Sequence, residues 1–194
     1  MTSDAPLWRV FPWDKDAEPG APFSPSFVPP RQGAGRFDLP DAPVLYLAES
    51  PEHALAERIQ GWRGQRLEPF DLTDGEHPLA VVSVALAPRL RAAIADCCDA
   101  AVLVRLKVRP DVLASRDLAR TRAIAVTVRE RGHAGLRWWS SLGGDWHTVV
   151  LFLDRVSAGA LEWGEPERLT LEHAAVEAAC VQLGIRRTRV RRRR

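Results

Sequence analysis

The stretch from Pro12 to Pro43 most constrains this chain. It carries Pro19, Gly20, Pro22, Pro25, Pro29, Pro30, Gly33 and Gly35, so neither a helical nor a strand hydrogen-bond ladder can run through it. The apolar segment before it, Leu7-Trp8-Arg9-Val10-Phe11, reads as a short strand, and the Pro- and Gly-rich stretch itself reads as a long loop. A compact domain rarely keeps so long a connection without regular structure unless that connection covers or binds something. Disorder is the plainer alternative. The chain has 194 residues, enough for one ordinary domain with a single core and too few for two.

Past the loop, Val44-Leu45-Tyr46-Leu47-Ala48 reads as a buried strand running into Ser50-Pro51-Glu52. Ser can cap a helix, Pro suits its first position and Glu favours its positive end, which predicts a helix from Pro51 to about Gln60, stopped near Gly61. The β-branched runs at 81–86 and 101–106 read as core strands, with a short helical turn over Leu90 to Ala95 between them. A helix is expected within 116–131, before Gly132. Strands are expected at 136–139 and 148–153, joined by a polar turn through Gly143-Gly144-Asp145. Thr170 is the expected cap of a last helix, Leu171 to Leu183, closed by Gly184. Strands and helices interleave without a regular βαβ rhythm, so the expected class is α+β, a mixed sheet with flanking helices.

The formal charge of +2 conceals an asymmetry. Seven arginines crowd into residues 186–194, and without them 20 basic residues face 25 acidic ones, a body near −5. Residues 1–185 are therefore read as one domain and 186–194 as a solvated, disordered tail, to which any nonspecific affinity for nucleic acid would belong. Cys97 and Cys98 are adjacent and Cys180 is distant, so neither a disulfide framework nor a four-ligand metal site is indicated, and the thiols read as reduced. No apolar run approaches the length of a membrane span and the start does not resemble a signal peptide, which makes the cytoplasm the default location.

Several familiar chemistries find no motif. Gly33-Ala34-Gly35-Arg36-Phe37-Asp38 lacks the third glycine of a dinucleotide fingerprint, and there is no P-loop, no nucleophile elbow and no zincin motif. What remains are polar residues in unexpected places. Arg9 sits inside an apolar strand and Arg36 comes after a Gly-Ala-Gly turn. Both can point a phosphate-matching guanidinium at one anion, although Arg9 can also snorkel and Arg36 can pair with Asp38. On a helical wheel Glu57 lies opposite Leu55, Ile59 and Trp62, which ordinarily means solvent. Its face also holds His53, Ala54 and Gly61, and the two small residues let a ligand come close. Tyr46, the only tyrosine, fits a core strand if its hydroxyl finds a partner, and Ser140 and Ser141 read as turn or ligand-contacting serines.

Taken in order, these residues resemble the RES family, named for its arginine, glutamate and serine. The resemblance rests on Trp8-Arg9, Gly35-Arg36-Phe37-Asp38, Leu45-Tyr46-Leu47-Ala48, Ser50 with Ala54 and Glu57, and Gly135-Leu136 with Ser140 after it, over about residues 7–153. It implies a fold similar to ADP-ribosylating toxins, with residues 154–185 as a C-terminal extension. It also implies an enzyme that consumes NAD+ as substrate by breaking the nicotinamide–ribose bond, with water or inorganic phosphate as acceptor and no resident cofactor or metal. Glu57 and Arg36 would then be catalytic, and Arg9, Tyr46 and Ser140 would bind substrate. Many such proteins are toxins held by an antitoxin, which makes an antitoxin protein the expected partner. Two other functions stay open: ADP-ribosyl transfer to a macromolecule, and a non-catalytic nucleic-acid-binding role for the Arg-rich tail.

Overall fold

A computed structural model of the protein describes residues 5–188. Strand β1 (Leu7–Pro12) precedes the long loop and β2 (Val44–Ala48) comes after it, leading into helix α1 (Pro51–Ile59). Next come β3 (Arg66–Leu67), β4 (Thr73–Asp74), β5 (His77–Leu86), α2 (Pro88–Ala92) and β6 (Ile94–Asp96). Helices α3 (Ala100–Leu106), α4 (Pro110–Leu113) and α5 (Leu118–Glu130) precede β7 (Gly135–Trp139) and β8 (His147–Phe152). The described chain ends through β9 (Leu161–Trp163), β10 (Glu167–Arg168), α6 (Ala174–Leu183) and β11 (Arg186–Arg187).

The main sheet runs β10-β5-β1-β2-β8-β7-β6, with β4 and β9 also paired to β5. All its pairs are antiparallel except β6 with β7. Its central join is weak. β1 pairs with β5 along its whole length, from Leu7–Val84 to Pro12–Leu79, yet meets β2 at Trp8–Ala48 alone. From that single point the two strands diverge, and the sheet is split between them.

Alternation along the strands buries both faces, because successive side chains point to opposite sides. Val150 and Phe152 of β8 join Leu103, Leu113, Ile124 and Val128 from α3, α4 and α5, while Val149 and Leu151 join Leu45, Leu47, Val84 and Leu90. On the far side of the split, Leu55 and Ile59 of α1 pack with Val176, Ala179 and Leu183 of α6 over Leu79 and Val81 of β5. The fold is thus an α+β mixed sheet with flanking helices, and the strand positions expected for residues 7–11, 44–48, 136–139 and 148–153 hold to within a residue or two.

Four local expectations fail. Residues 101–106 form helix α3, not a strand: Asp99 accepts from Ala101 N, and Val102, Leu103 and Leu106 are buried while Val104 is exposed, a helical spacing that the β-branched run conceals. The turn expected over Leu90 to Ala95 divides into α2 and strand β6. The last helix starts at Ala174, capped by His173, because Leu171 is drawn into the α1/α6 core and its carbonyl accepts from Arg187. Residues 186–188 are not a disordered tail: β11 pairs in parallel with β3, and Thr188 Oγ1 donates to Glu68. Residues 189–194 of that tail lie outside the described residues. Among the described residues no helix is long and apolar enough to cross a membrane.

Candidate active site

The split between β1 and β2 opens a cavity of about 500 Å³, walled by both strands, the loop segment 28–37 and the outer face of α1. Helix α1 is set into this wall by its N-terminal cap and its buried stripe. Ser50 is extended and its Oγ accepts from His53 N at 3.3 Å, Pro51 opens the first turn, and Leu55, Ala56 and Ile59 are fully buried against the core. Burying that stripe turns Glu57 toward the cavity.

Glu57 is neither a freely solvated glutamate nor a core residue. Its side chain is 42 % exposed, and Oε1 accepts from Ser140 Oγ at 2.9 Å and faces His53 Nε2 at 3.3 Å, while Oε2 accepts from Gln60 at 3.3 Å. Burial alone would push its carboxyl up, but the hydrogen bonds from His53, Ser140 and Gln60 together hold it below the ordinary value. Ser140 is buried and its Oγ also accepts from Leu142 N, whereas Ser141 is exposed. The serine at Glu57 is therefore Ser140.

Arg36 does not pair with Asp38. Its guanidinium donates to Leu113 O at 2.7 Å and lies 4.2 Å over the Trp138 ring, and its Nε is buried without an acceptor. Burial lowers its pKa, against the opposing pull of the Glu57 carboxylate, so the two groups sense each other across the cavity. Asp38 turns instead to Tyr46. The Tyr46 hydroxyl donates to Asp38 Oδ1 at 2.9 Å and accepts from Phe37 N at 2.9 Å, and Asp38 Oδ2 accepts from Gly35 N. Gly35 is required there, because a Cβ would run into both the Tyr46 hydroxyl and the Asp38 carboxylate. Burial drives the Tyr46 phenol far above its usual range, so it stays protonated and can serve as a donor.

Arg9 reaches the cavity from β1, in the side-chain row opposite Trp8 and Val10, which pack on the α1 side. It donates to Pro25 O at 2.7 Å, and no carboxylate among the described residues lies within ion-pair distance of it. Burial lowers its pKa to about 10, which leaves it a cation at neutral pH with unspent attraction for an anion.

Arg9, Arg36, Tyr46 and Glu57 thus line one cavity, and Ser140 reaches it through the Glu57 carboxylate. Such a set can bind an anionic ligand on guanidinium groups and present a carboxylate to positive charge developing nearby. Three contributors are not singled out by the sequence. His53 is signalled only by its i, i+4 spacing to Glu57. Trp138 is hidden in an apolar run, and Arg122, which donates to Gly33 O and Gly35 O, is distant in sequence and has no local signal. Among the described residues there is no group of three or more His, Cys, Asp or Glu placed to hold a metal.

The RES domain family matches residues 6–172. The chain belongs to that family. No curated protein sequence matches it. Among solved structures, the crystal structure of the M. tuberculosis MbcT–MbcA toxin–antitoxin complex is similar, with a TM-score of 0.56 and 18% identity, over 85% of this chain and 84% of that one. At that identity the likeness shows a shared fold. It places the split sheet within this RES chain on a scaffold that another protein also uses.

Proposed function

We propose that this RES-domain protein is a toxin-type enzyme of the cytoplasm that consumes NAD+ by breaking its nicotinamide–ribose bond, with phosphate or water as acceptor. The observation that carries the reading is the convergence of Glu57 and Arg36 on one cavity that Arg9 and Tyr46 also line. Family membership and the fold shared with the toxin of a toxin–antitoxin complex support it.

The chemistry suits the residues. As the C1′–N bond breaks, its electron pair leaves with nicotinamide, a neutral pyridine that needs no general acid. The ribose becomes oxocarbenium-like, and a fixed carboxylate beside it stabilises charge that exists mainly in the transition state. Glu57, held below its ordinary pKa, is ionised for that task at neutral pH. Arg9 and Arg36 would bind the diphosphate and restrict the ribose to a reactive pose. Tyr46 would pack against the nicotinamide or ribose. An oxygen of water or phosphate then bonds to C1′, and in hydrolysis one proton is released. A protein antitoxin covering the cavity mouth would restrain this activity.

Incubating the full chain with NAD+, with and without phosphate, and identifying the products by mass spectrometry tests the reaction and its acceptor. Nicotinamide with ADP-ribose in both cases is the outcome of hydrolysis, and nicotinamide with a phosphorylated ADP-ribose only when phosphate is present is the outcome of phosphorolysis. Label from NAD+ appearing in a macromolecule would instead mean ADP-ribosyl transfer. Glu57→Gln should lower turnover by at least about 100-fold while the melting temperature holds, as for loss of a transition-state electrostatic contact. A folded Glu57→Gln protein with full activity would remove Glu57 from the mechanism.

A further inference from the structure

One buried side chain beside the cavity is not among the family's arginine, glutamate and serine. His53 is fully buried, one helical turn before Glu57, with Nε2 3.3 Å from Glu57 Oε1. Its ring stacks on Trp146 at a centroid distance of 4.9 Å and an interplanar angle of 19°. Its other nitrogen, Nδ1, is buried with no hydrogen-bond partner. A proton on Nδ1 would therefore sit in the interior without an acceptor, whereas a proton on Nε2 has the carboxylate to meet. The tautomer is fixed by what surrounds each nitrogen.

The turn that holds the ring also holds the serine. Ser140 N donates to Trp146 O at 2.7 Å and Trp146 N donates to Gly143 O, so residues 140–146 close on themselves. Gly143 allows this, because a Cβ there would press on the Trp146 ring. This turn supplies Ser140 Oγ to Glu57 and, through the Trp146 ring, stacks on the imidazole that supplies the second donor. Both buried donors converge on Oε1. Oε2 meets only the exposed Gln60 amide at 3.3 Å.

We infer that His53 is a positioning residue: with Ser140 it pins Oε1 of Glu57 from behind, so that Oε2 is the oxygen turned to the reacting ligand. This rests on the reading of Glu57 as the acting carboxylate. On α1 itself Arg58 also lines the cavity and is held by Asp74 at 2.7 Å. Arg36 faces Glu57 from the loop, and Arg9 enters the same cavity from β1. On the other elements packed against α1, Glu177 of α6 pairs with Arg187, His77 of β5 stacks on Phe23, and Tyr46 of β2 donates to Asp38.

Three substitutions in the full chain test this. His53→Phe keeps a ring on Trp146 and deletes the donor, His53→Gln returns an amide N–H near the place of Nε2, and His53→Asn places its amide near Nδ1, out of reach of Glu57. In NAD+ cleavage His53→Phe and His53→Asn should lose roughly ten-fold in kcat with KM little changed, the size expected for one hydrogen bond to a charged group, and His53→Gln should recover most of it. Independently of activity, the Glu57 carboxyl followed by carbon NMR should titrate at higher pH in His53→Phe and return toward the wild-type value in His53→Gln. Wild-type kcat and an unshifted Glu57 titration in folded His53→Phe would overturn the inference, as would a folded His53→Gln no better than His53→Asn. A wild-type protein that leaves NAD+ intact would defeat the proposed reaction alone, because the carboxyl titration still decides whether His53 holds Glu57.

Discussion

At the scale of single residues, the cavity is held by hydrogen bonds that run away from it. The Tyr46 hydroxyl uses both its donor and its acceptor capacity within the protein, on Asp38 and on Phe37 N. Tyr46→Phe would leave a buried Asp38 carboxylate oxygen and a backbone N–H to find other partners. We expect a loss of about 2 kcal/mol in stability, the usual penalty for stranding buried polar groups, measurable by urea denaturation. An unchanged midpoint would mean that water replaces the hydroxyl. This network also explains why the residue roles are only half legible in sequence. Tyr46 in an apolar strand signals a hydroxyl in need of a partner, but nothing local says that Asp38 supplies it, and Arg36 stands nearer to Asp38 along the chain. The choice is settled by the stacking surface that Trp138, a hundred residues away, offers to the Arg36 guanidinium.

At the scale of elements, legibility depends on how local the deciding interactions are. Helix α1 is readable because its cap, its proline and its buried stripe all lie within ten residues. Helix α3 is not, since Val102 and Val104 carry strand propensity while the helix is decided by the core that receives Val102, Leu103 and Leu106. The loop between β1 and β2 is recognisable as irregular, and its anchors are again remote. Gln32 uses its side-chain amide on both Val44 N and Val44 O, in the manner of a strand partner, and Arg122 of α5 donates to Gly33 O and Gly35 O at 2.6 and 3.2 Å. Those carbonyls lie just before Arg36, so the α5 tether sets where the guanidinium stands. Arg122→Ala should raise KM for NAD+ several-fold, on the order of the 1–2 kcal/mol that charge-assisted bonds to carbonyls contribute, and leave kcat nearly intact. It should also speed limited proteolysis between residues 30 and 38. A change in kcat alone would show that the tether acts on something other than binding.

At the scale of the whole molecule, the C-terminal segment divides in two. The charge run of residues 186–194 looks uniform in sequence, yet Arg186 and Arg187 belong to β11, where parallel pairing with β3 fastens this segment beside the α1/α6 core. Arg186 N donates to Gln65 O, Thr188 N to Leu67 O, Arg187 Nη1 to Leu171 O, and Thr188 Oγ1 to Glu68. The Arg187–Glu177 pair adds little, since Glu177 is 62% exposed. Composition cannot separate an arginine whose backbone completes a sheet from one that only carries charge, because the distinction lies in strand β3, over a hundred residues earlier. A chain ending at Thr188 keeps all of these bonds and is expected to melt near the full chain, whereas one ending at Ile185 gives up about four hydrogen bonds and should lose about 3 kcal/mol, a fall on the order of 10 °C for a domain of this size. None of residues 186–188 lines the cavity, so NAD+ cleavage measured well below the lower melting point is expected in both truncated chains. Abolished cleavage in the chain ending at Thr188, with its melting temperature intact, would mean that residues 189–194 act in the reaction itself, and the assignment of the chemistry to the split between β1 and β2 would have to be extended to include them.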